Sequence, residues 1–459
     1  MYLTKEKIEE YNFLFFDIPT IVTLFNAERL EYKYMKFTCR RTLVDGSVEW
    51  TRGRVQPLIY GPSQCKMTTF RLVCPFYSGN LAETLSYEIG MKNKELQIME
   101  FRNFSLTRPE KKKRSLVSCM SRMIAFDDWA LLLFVMETFR LHGGDLVVAY
   151  VNCALKQSME LMKLYEKEGL MAIRHGYKAP QMNGQSYSLP YDPDSETEYS
   201  HQMTNSHECL YEFKDSAEFI AFTDWDDVLI SPKSGSFVSQ LQRIANLNPF
   251  AASFSITRLH SHLPTPFTKR NKFSLERAVN EITYSGKAID PKVVVRPERV
   301  AGVWIHWLMF PEKPEFNEVT ANREHIVILH THNLTYGGDK IDDKSRIAIG
   351  NATEFLDGKV LENNLSNFFG KYNFPFNPSS YPDFKIFYYL ILKCYQNLII
   401  GSRKNGLKQC PTYKTCEYPK QEFEVVKIRT EYREPLRMGE VTWHERSNTS
   451  FVEAQDGCL

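Results

Sequence analysis

The chain lacks a long apolar run: no stretch of its 459 residues reaches the ~18 uninterrupted apolar positions that a membrane-spanning helix needs. The two best candidates, residues 12–25 and 387–400, are broken by Asp17 and by Lys393, Gln396 and Asn397. It lacks a charge bias, since 57 Lys+Arg against 55 Asp+Glu leave a net charge of +2. No global electrostatic case therefore exists for nucleic acid or for an anionic membrane surface. It has no C-x-x-C pair and no zinc-ligand spacing among its ten cysteines. The opening MYLTKEKIEEY does not read as a signal peptide. With 43% hydrophobic and 24% charged residues it is neither disordered nor collagen-like. Its length suits about two to three domains.

Cysteines and sequons bear on compartment. Cys410 and Cys416 share a short QCPTYKTCEYPK stretch, and Cys65 and Cys74 flank the strand-like TTFRLV. Each pair reads as a local bridge, with buried thiols as the alternative. N-x-S/T triplets at Asn103, Asn333, Asn351, Asn364 and Asn448 lean towards a secretory compartment, although each is weak alone. The missing signal peptide opposes that lean, and an N-terminus continuing upstream would reconcile the two.

Residues 1–104 read as β-rich, with runs such as TIVTLF, KYMKFTCRRTLV and ELQIMEF between Gly/Pro/Ser/Asn breaks. The basic run Lys111, Lys112, Lys113 and Arg114 reads as a solvated linker. From Leu116 the pattern alternates. LVSCM is a strand. DDWALLLFVMETFRLHGG is a helix capped by Asp127 or Asp128 and ended at Gly143. DLVVAYVN, LKQSMELMKLYEKEG and LMAIRH continue as strand, helix and strand. Such a series implies a parallel sheet covered on both faces, with its ligand edge at the strand C-termini. A turn-rich stretch follows at 179–197, then a helix-like EYSHQMTNSHECLYEFKDS. The segment FKIFYYLILKCYQNLII reads as one buried helix, and the tail from Arg429 as loose.

The most informative segment is EFIAFTDWDDVLI. A strand at 218–223 ends on Asp224, and the period of two puts Asp224 and Asp226 on one face with Trp225 on the other. Paired carboxylates at a sheet's C-terminal edge suit a hard divalent cation that bridges a nucleotide diphosphate. Asp227 is read as bonding the following turn. The same letters, Asp224-Trp225-Asp226-Asp227-Val228, also fit the D-x-D-x-[TV] of haloacid-dehalogenase-type phosphatases, with Asp224 as nucleophile. Gly338-Asp339-Lys340-Ile341-Asp342-Asp343 would be the second motif of that family. It lacks the buried strand that should precede it, and Asp224 does not lie on the first strand of its domain.

The ordered pieces LVSCMSRMI, DLVVAYVN, LYEKEGLMAIRH, QMTNSHECLYEFKDSAEFIAFTDWDDVLI, SGKAIDPKVVVRPERVAGVWIHW and IVILHTHN resemble glycosyltransferase family 92 across about half the chain. The resemblance implies an α/β fold of the GT-A, Rossmann-like type with an N-terminal β-rich accessory region. The divisions that follow are 1–112 (accessory region and basic linker), 113–350 (catalytic domain) and 351–459 (helical region and tail). It implies a UDP-sugar donor, Mn²⁺ or Mg²⁺, and transfer of a hexose, galactose in the characterised case, to a glycan or glycoprotein acceptor with inversion. It also implies a Golgi, membrane-attached enzyme.

By resemblance and geometry Asp224 and Asp226 bind metal and diphosphate, and His330 completes the metal site, with His332 second on the same strand face. His306 between Trp304 and Trp307 would contact donor or acceptor, and Lys292 and Arg296 would meet phosphate. An inverting transfer needs a carboxylate base, and the candidates are Asp290, Glu298 and Glu315. Two departures stand out: no N-terminal anchor, and HTHN where an aromatic and a basic residue are expected after the His. The second keeps a silent glycan-binding protein of the same fold as an alternative.

Overall fold

The computed structural model describes residues 2–10, 14–29, 35–58, 63–77, 83–92, 98–180, 189–262, 273–332, 348–381, 387–404, 406, 408–416, 422–438 and 441–458. The Gly338–Asp343 motif and Asn333 lie outside them. The architecture is mixed α/β around a curled central sheet, compatible with a Rossmann-like core. Its strands run in the order Met171–His175, Leu146–Val151, Arg114–Met120, Ala217–Thr223, Thr283–Val295, Ala251–His262, Val327–His332, Asp227–Ile230. The first four are mutually parallel. Thr283–Val295 then runs antiparallel to both of its neighbours. The central strand Leu146–Val151 is apolar and buried throughout, and the other three are apolar over their inner residues, because helices cover both faces.

Local chemistry explains the helices. Asp128 rather than Asp127 caps Trp129–Leu141, accepting from Leu131 N, and Gly143 follows the helix at φ +83°. Lys156–Glu168 ends on Gly169 at φ +78°. The next helix is shorter than its sequence suggests. It spans Gln202–Phe213, because Tyr199, Ser200 and His201 all adopt left-handed φ (45°, 51°, 65°) just before it. Such conformations cost roughly 1–2 kcal/mol per residue. The tilted packing of Tyr199 against Trp304, the Ser200–Thr412 hydroxyl bond and the 2.6 Å His201–Asp194 bond hold them.

Two four-stranded sheets occupy the described residues between Tyr2 and Phe104. The Cys39–Cys74 disulfide joins them across a shared core that includes Ile21, Leu72, Tyr87 and Ile89. The sheet that contains Met67–Pro75 docks on the Gln202–Phe213 helix and its neighbours through buried polar bonds. Arg71 donates to Tyr211 Oη and Ala301 O, both at 2.8 Å, and Thr68 donates to Glu198.

Three expectations need correction. All ten cysteines are paired, but as Cys39–Cys74, Cys65–Cys410, Cys119–Cys209, Cys153–Cys458 and Cys394–Cys416. Neither local bridge forms, because pairing is set by which loops, helices and strands the fold brings together. The tail is not loose: Val425–Tyr432 and Arg446–Ala454 form an antiparallel ladder onto Cys153–Leu155, and Cys458 is tied to Cys153. Phe387–Lys404 is a helix, yet Leu390 and Ile400 are exposed, and Ile391 is buried against Ala125. Among the described residues no helix is long and apolar enough to cross a membrane.

Glu198 makes the docking contact pH-sensitive. Burial pushes its carboxyl from 4.5 up to about 7, against the Thr68 hydroxyl bond that favours the ion. Below pH 4.5 both folded and unfolded states hold the proton and the group costs nothing. Above pH 7 the folded state carries a disfavoured buried charge, a cost of about 3 kcal/mol at about 1.4 kcal/mol per unit. Glu198→Gln should therefore flatten the fall in stability between pH 4.5 and 7, measured by urea unfolding at a series of pH values. An unchanged slope would contradict this.

Candidate functional site

The strand Ala217–Thr223 runs beside Arg114–Met120, and Asp224 begins the turn at its C-terminal end. The turn is closed by its own last residue: Asp227 N donates to Asp224 O at 3.1 Å, and Asp224 N donates to Asp227 Oδ2 at 3.0 Å. Asp227 thus bonds its own turn, not the following one. Trp225 faces the core, its ring 5.4 Å from Phe126 and its Nε1 donating to Ser121 O. Asp224 and Asp226 remain part-exposed, at 30% and 27%.

The neighbouring strands bring cations and a histidine to this turn. Phe222 pairs with Val293, which puts Lys292 beside the end of the strand. The Lys292 side chain is fully buried, with Nζ 2.5 Å from Asp224 Oδ2 and 3.6 Å from Asp227 Oδ2. Arg258 Nε lies 2.7 Å from Asp227 Oδ1. Burial works to raise the Asp227 carboxyl, but Arg258 and Lys292 hold it well below the ordinary range. Asp227 pairs with His330 across the antiparallel ladder, and His330 Nδ1 lies 3.2 Å from Asp227 Oδ1 and 3.4 Å from Asp226 Oδ1. Burial disfavours the protonated ring. The two carboxylates outweigh it and push His330 up to about 9. Arg258 Nη2 approaches the same nitrogen at 2.7 Å, a contact that suits only the neutral ring. Two donors thus compete at one position. Three carboxylates against two fixed cations leave one negative charge, which a proton or a metal ion can balance.

Asp226, Asp227 and His330 each offer a ligand atom, all within 4.8 Å of one another. Two carboxylate oxygens and an imidazole nitrogen fit a hard or borderline divalent cation. Asp224 is engaged by Lys292 instead. His332 pairs through its backbone with His262, and its side chain lies outside the described residues. His306 donates Nδ1–H to Pro291 O at 2.6 Å, between Trp304 and Trp307. Burial first, then the positive charge of Lys292, lowers its pKa.

Arg296 is not brought in. It follows the strand four residues beyond Lys292, ~13 Å away at strand rise, and pairs with Glu298 at 3.2 Å. Glu298 also meets Arg299 at 3.2 Å, and Glu315 meets Lys313 at 3.7 Å. Asp290 is exposed on the Lys292 strand, two residues before it.

Sequence reasoning missed Arg258 and a second wall. Arg258 lies in RLHSH, where polar alternation on a strand was the available signal; His260 in the same run pairs with His330, ring centroids 6.1 Å apart. The second wall begins at Arg122, just past the Arg114–Met120 strand. Arg122 donates to Gln202 and, at 3.4 Å, to Tyr395 Oη on the helix Phe387–Lys404. Nothing in the sequence links Tyr395 to this edge, since the contact spans 273 residues.

A sequence model of glycosyltransferase family 92 matches residues 114–383, which includes every residue of the turn cluster. The chain is 23% identical over 458 residues to glycosyltransferase family 92 protein F59C6.8 of Caenorhabditis elegans, covering 96% of this chain and 85% of that one. It is 23% identical over 359 residues to the family 92 protein ZK381.2 of the same organism, covering 75% and 69%. Its match to the family 92 protein F13G3.3, at 25% identity over 221 residues, covers 47% of this chain and less than half, 43%, of that one. The chain belongs to glycosyltransferase family 92, and membership implies glycosyl transfer with a sugar donor and a glycan acceptor.

Arg258 and Asp227 should be strongly coupled. Arg258→Met leaves the buried Asp227 carboxylate with Lys292, 3.6 Å away, as its cation and should cost about 3 kcal/mol, the lower end for a broken buried pair. Adding Asp227→Asn should recover a large part of that loss in chemical denaturation. Additive losses would show that the pair is not coupled.

Proposed function

We propose that this chain is a metal-dependent glycosyltransferase that moves a hexose, with galactose the first candidate, from a UDP-sugar to a glycan acceptor with inversion. The observation that carries the reading is the Asp226/Asp227/His330 donor set at the C-terminal edge of the sheet, where open α/β sheets take their ligands. Asp226 and His330, with Asp224 or Asp227 beside them, would hold Mn²⁺ or Mg²⁺, which when bound offsets the charge that grows on a departing diphosphate.

The remaining roles fall to side chains of the chain itself. Lys292 and Arg258 fix positive charge under the turn: together they hold the Asp227 carboxylate ionised, and Lys292 holds Asp224 in place. Arg122, anchored by Gln202 and Tyr395, offers a guanidinium to an anionic donor on the other side. Tyr199, backed by the buried Trp304, and His306 supply a ring face and a polar edge for a sugar. Asp290 is the preferred base, because Glu298 and Glu315 are paired elsewhere. The GT-A assignment is part of this reading and rests on the order of the sheet and the acidic turn. A secretory, Golgi-type location is likewise proposed, supported by five disulfides, which persist in oxidising compartments.

Nucleotide release from a panel of UDP- and GDP-sugars tests this reading. We expect release from a UDP-hexose that needs Mn²⁺ or Mg²⁺ and falls at least ~100-fold, the scale seen for lost electrostatic stabilisation, in Asp226→Ala. Tyr395→Phe, which keeps the ring, should raise KM for the donor more than it lowers kcat. Release that persists undiminished in EDTA would overturn the reading.

A further inference from the structure

The five N-x-S/T triplets are equivalent as letters, and the fold separates them. Asn103 is exposed on Met99–Phe104, an edge strand of the sheet ordered Val48–Arg52, Phe37–Leu43, Thr84–Lys92, Met99–Phe104. Asn448 is exposed on Arg446–Ala454, the edge strand of the three-stranded sheet that carries the C-terminal ladder. Asn351 is different, because both of its amide atoms are in use. Its Oδ1 accepts from Thr353 N at 2.9 Å, its Nδ2 donates to Asn280 O at 2.9 Å, and Glu354 closes a capping box on its backbone. A sugar on that Nδ2 would compete with Asn280 O for the same space and open the cap. Asn364 is half-buried beside Leu365 in the helix Gly358–Lys371.

The second observation is the disulfide set. Bridges with sequence separations of 345 and 305 close almost the whole chain on itself. Such bridges form where thiols are oxidised, and the machinery of asparagine glycosylation works in the same lumen.

We infer that Asn103 and Asn448 carry N-linked glycans and that Asn351 does not. In each transfer the Asn Nδ2 loses a proton and bonds to the anomeric carbon of a lipid-diphosphate-linked oligosaccharide. The carbon–oxygen bond to the diphosphate breaks, and its electron pair leaves with the lipid diphosphate. Ser105 and Ser450 are the hydroxyl positions that the transferase reads. Both glycans stand on sheet edges, where they add bulk and water to strands whose backbone groups are open to pairing with another chain.

The test uses the full chain passed through the secretory pathway of an animal cell and recovered with its disulfides formed. Peptide-N-glycosidase in heavy-oxygen water converts each occupied Asn to labelled Asp, and peptide mass spectrometry locates the label. We expect label at Asn103 and Asn448 and none at Asn351. Asn103→Gln, Ser105→Ala and Asn448→Gln should each remove one step of gel mobility. An unlabelled Asn103 or Asn448, or label at Asn351, would overturn the inference. Asp226→Ala should carry the same glycans, so the result stands apart from the donor assay.

Discussion

The site depends on one buried carboxylate. Asp227 is almost fully enclosed, and a lone charge there would cost several kcal/mol. Arg258 from one strand and Lys292 from the next remove that cost, and the backbone amide of Asp224 adds a third contact. The carboxylate therefore fixes three strands and the turn in a single geometry. Asp224 and Asp226 are presented at the sheet edge because Asp227 is held beneath them. His330 reaches the same point because its strand pairs with Asp227 itself.

Around this centre the chain is closed by covalent ties. Cys394, next to Tyr395, is bridged to Cys416, while Cys65 holds Cys410 and Cys153 holds Cys458. The helix that supplies Tyr395 exposes much of its described surface, so its own burial does little to fix it. Its bridge, the Arg122 contact and the packing of Ile391 on Ala125 set its position. Strain at Tyr199–His201 belongs to the same wall: the left-handed backbone is accepted where packing against Trp304 and the His201–Asp194 bond compensate for it. Strained backbone of this kind gathers at sites where geometry has to be exact in one place.

The αβ series from Leu116 to Thr223 was legible in the sequence because apolar periodicity and caps are local signals, and Asp128, Gly143 and Gly169 act where such signals put them. Asp226 and His330 were legible as a strand-end acid and a late strand-end histidine, and they do meet. Lys292 was legible as a strand cation and Arg296 was not separable from it, since strand spacing alone does not say where the ladder ends. Arg258 was hidden because its burial arises only when residues 251–262 pair with both 283–295 and 327–332. The disulfides and the tail were hidden for the same reason. Cys65 finds a partner 345 residues away, and Val425–Tyr432 finds its strand at Cys153–Leu155. Long-range pairing leaves no periodic trace in either partner alone.

The central claim is that the acidic turn and His330 form one cation site beside fixed positive charge. Electron paramagnetic resonance of added Mn²⁺ tests it without any substrate. The account predicts a bound-Mn²⁺ population in the parent protein that is lost in Asp226→Asn and weakened in His330→Gln, with the fold intact by circular dichroism. Undiminished Mn²⁺ binding in both variants, or none in the parent protein, would contradict it.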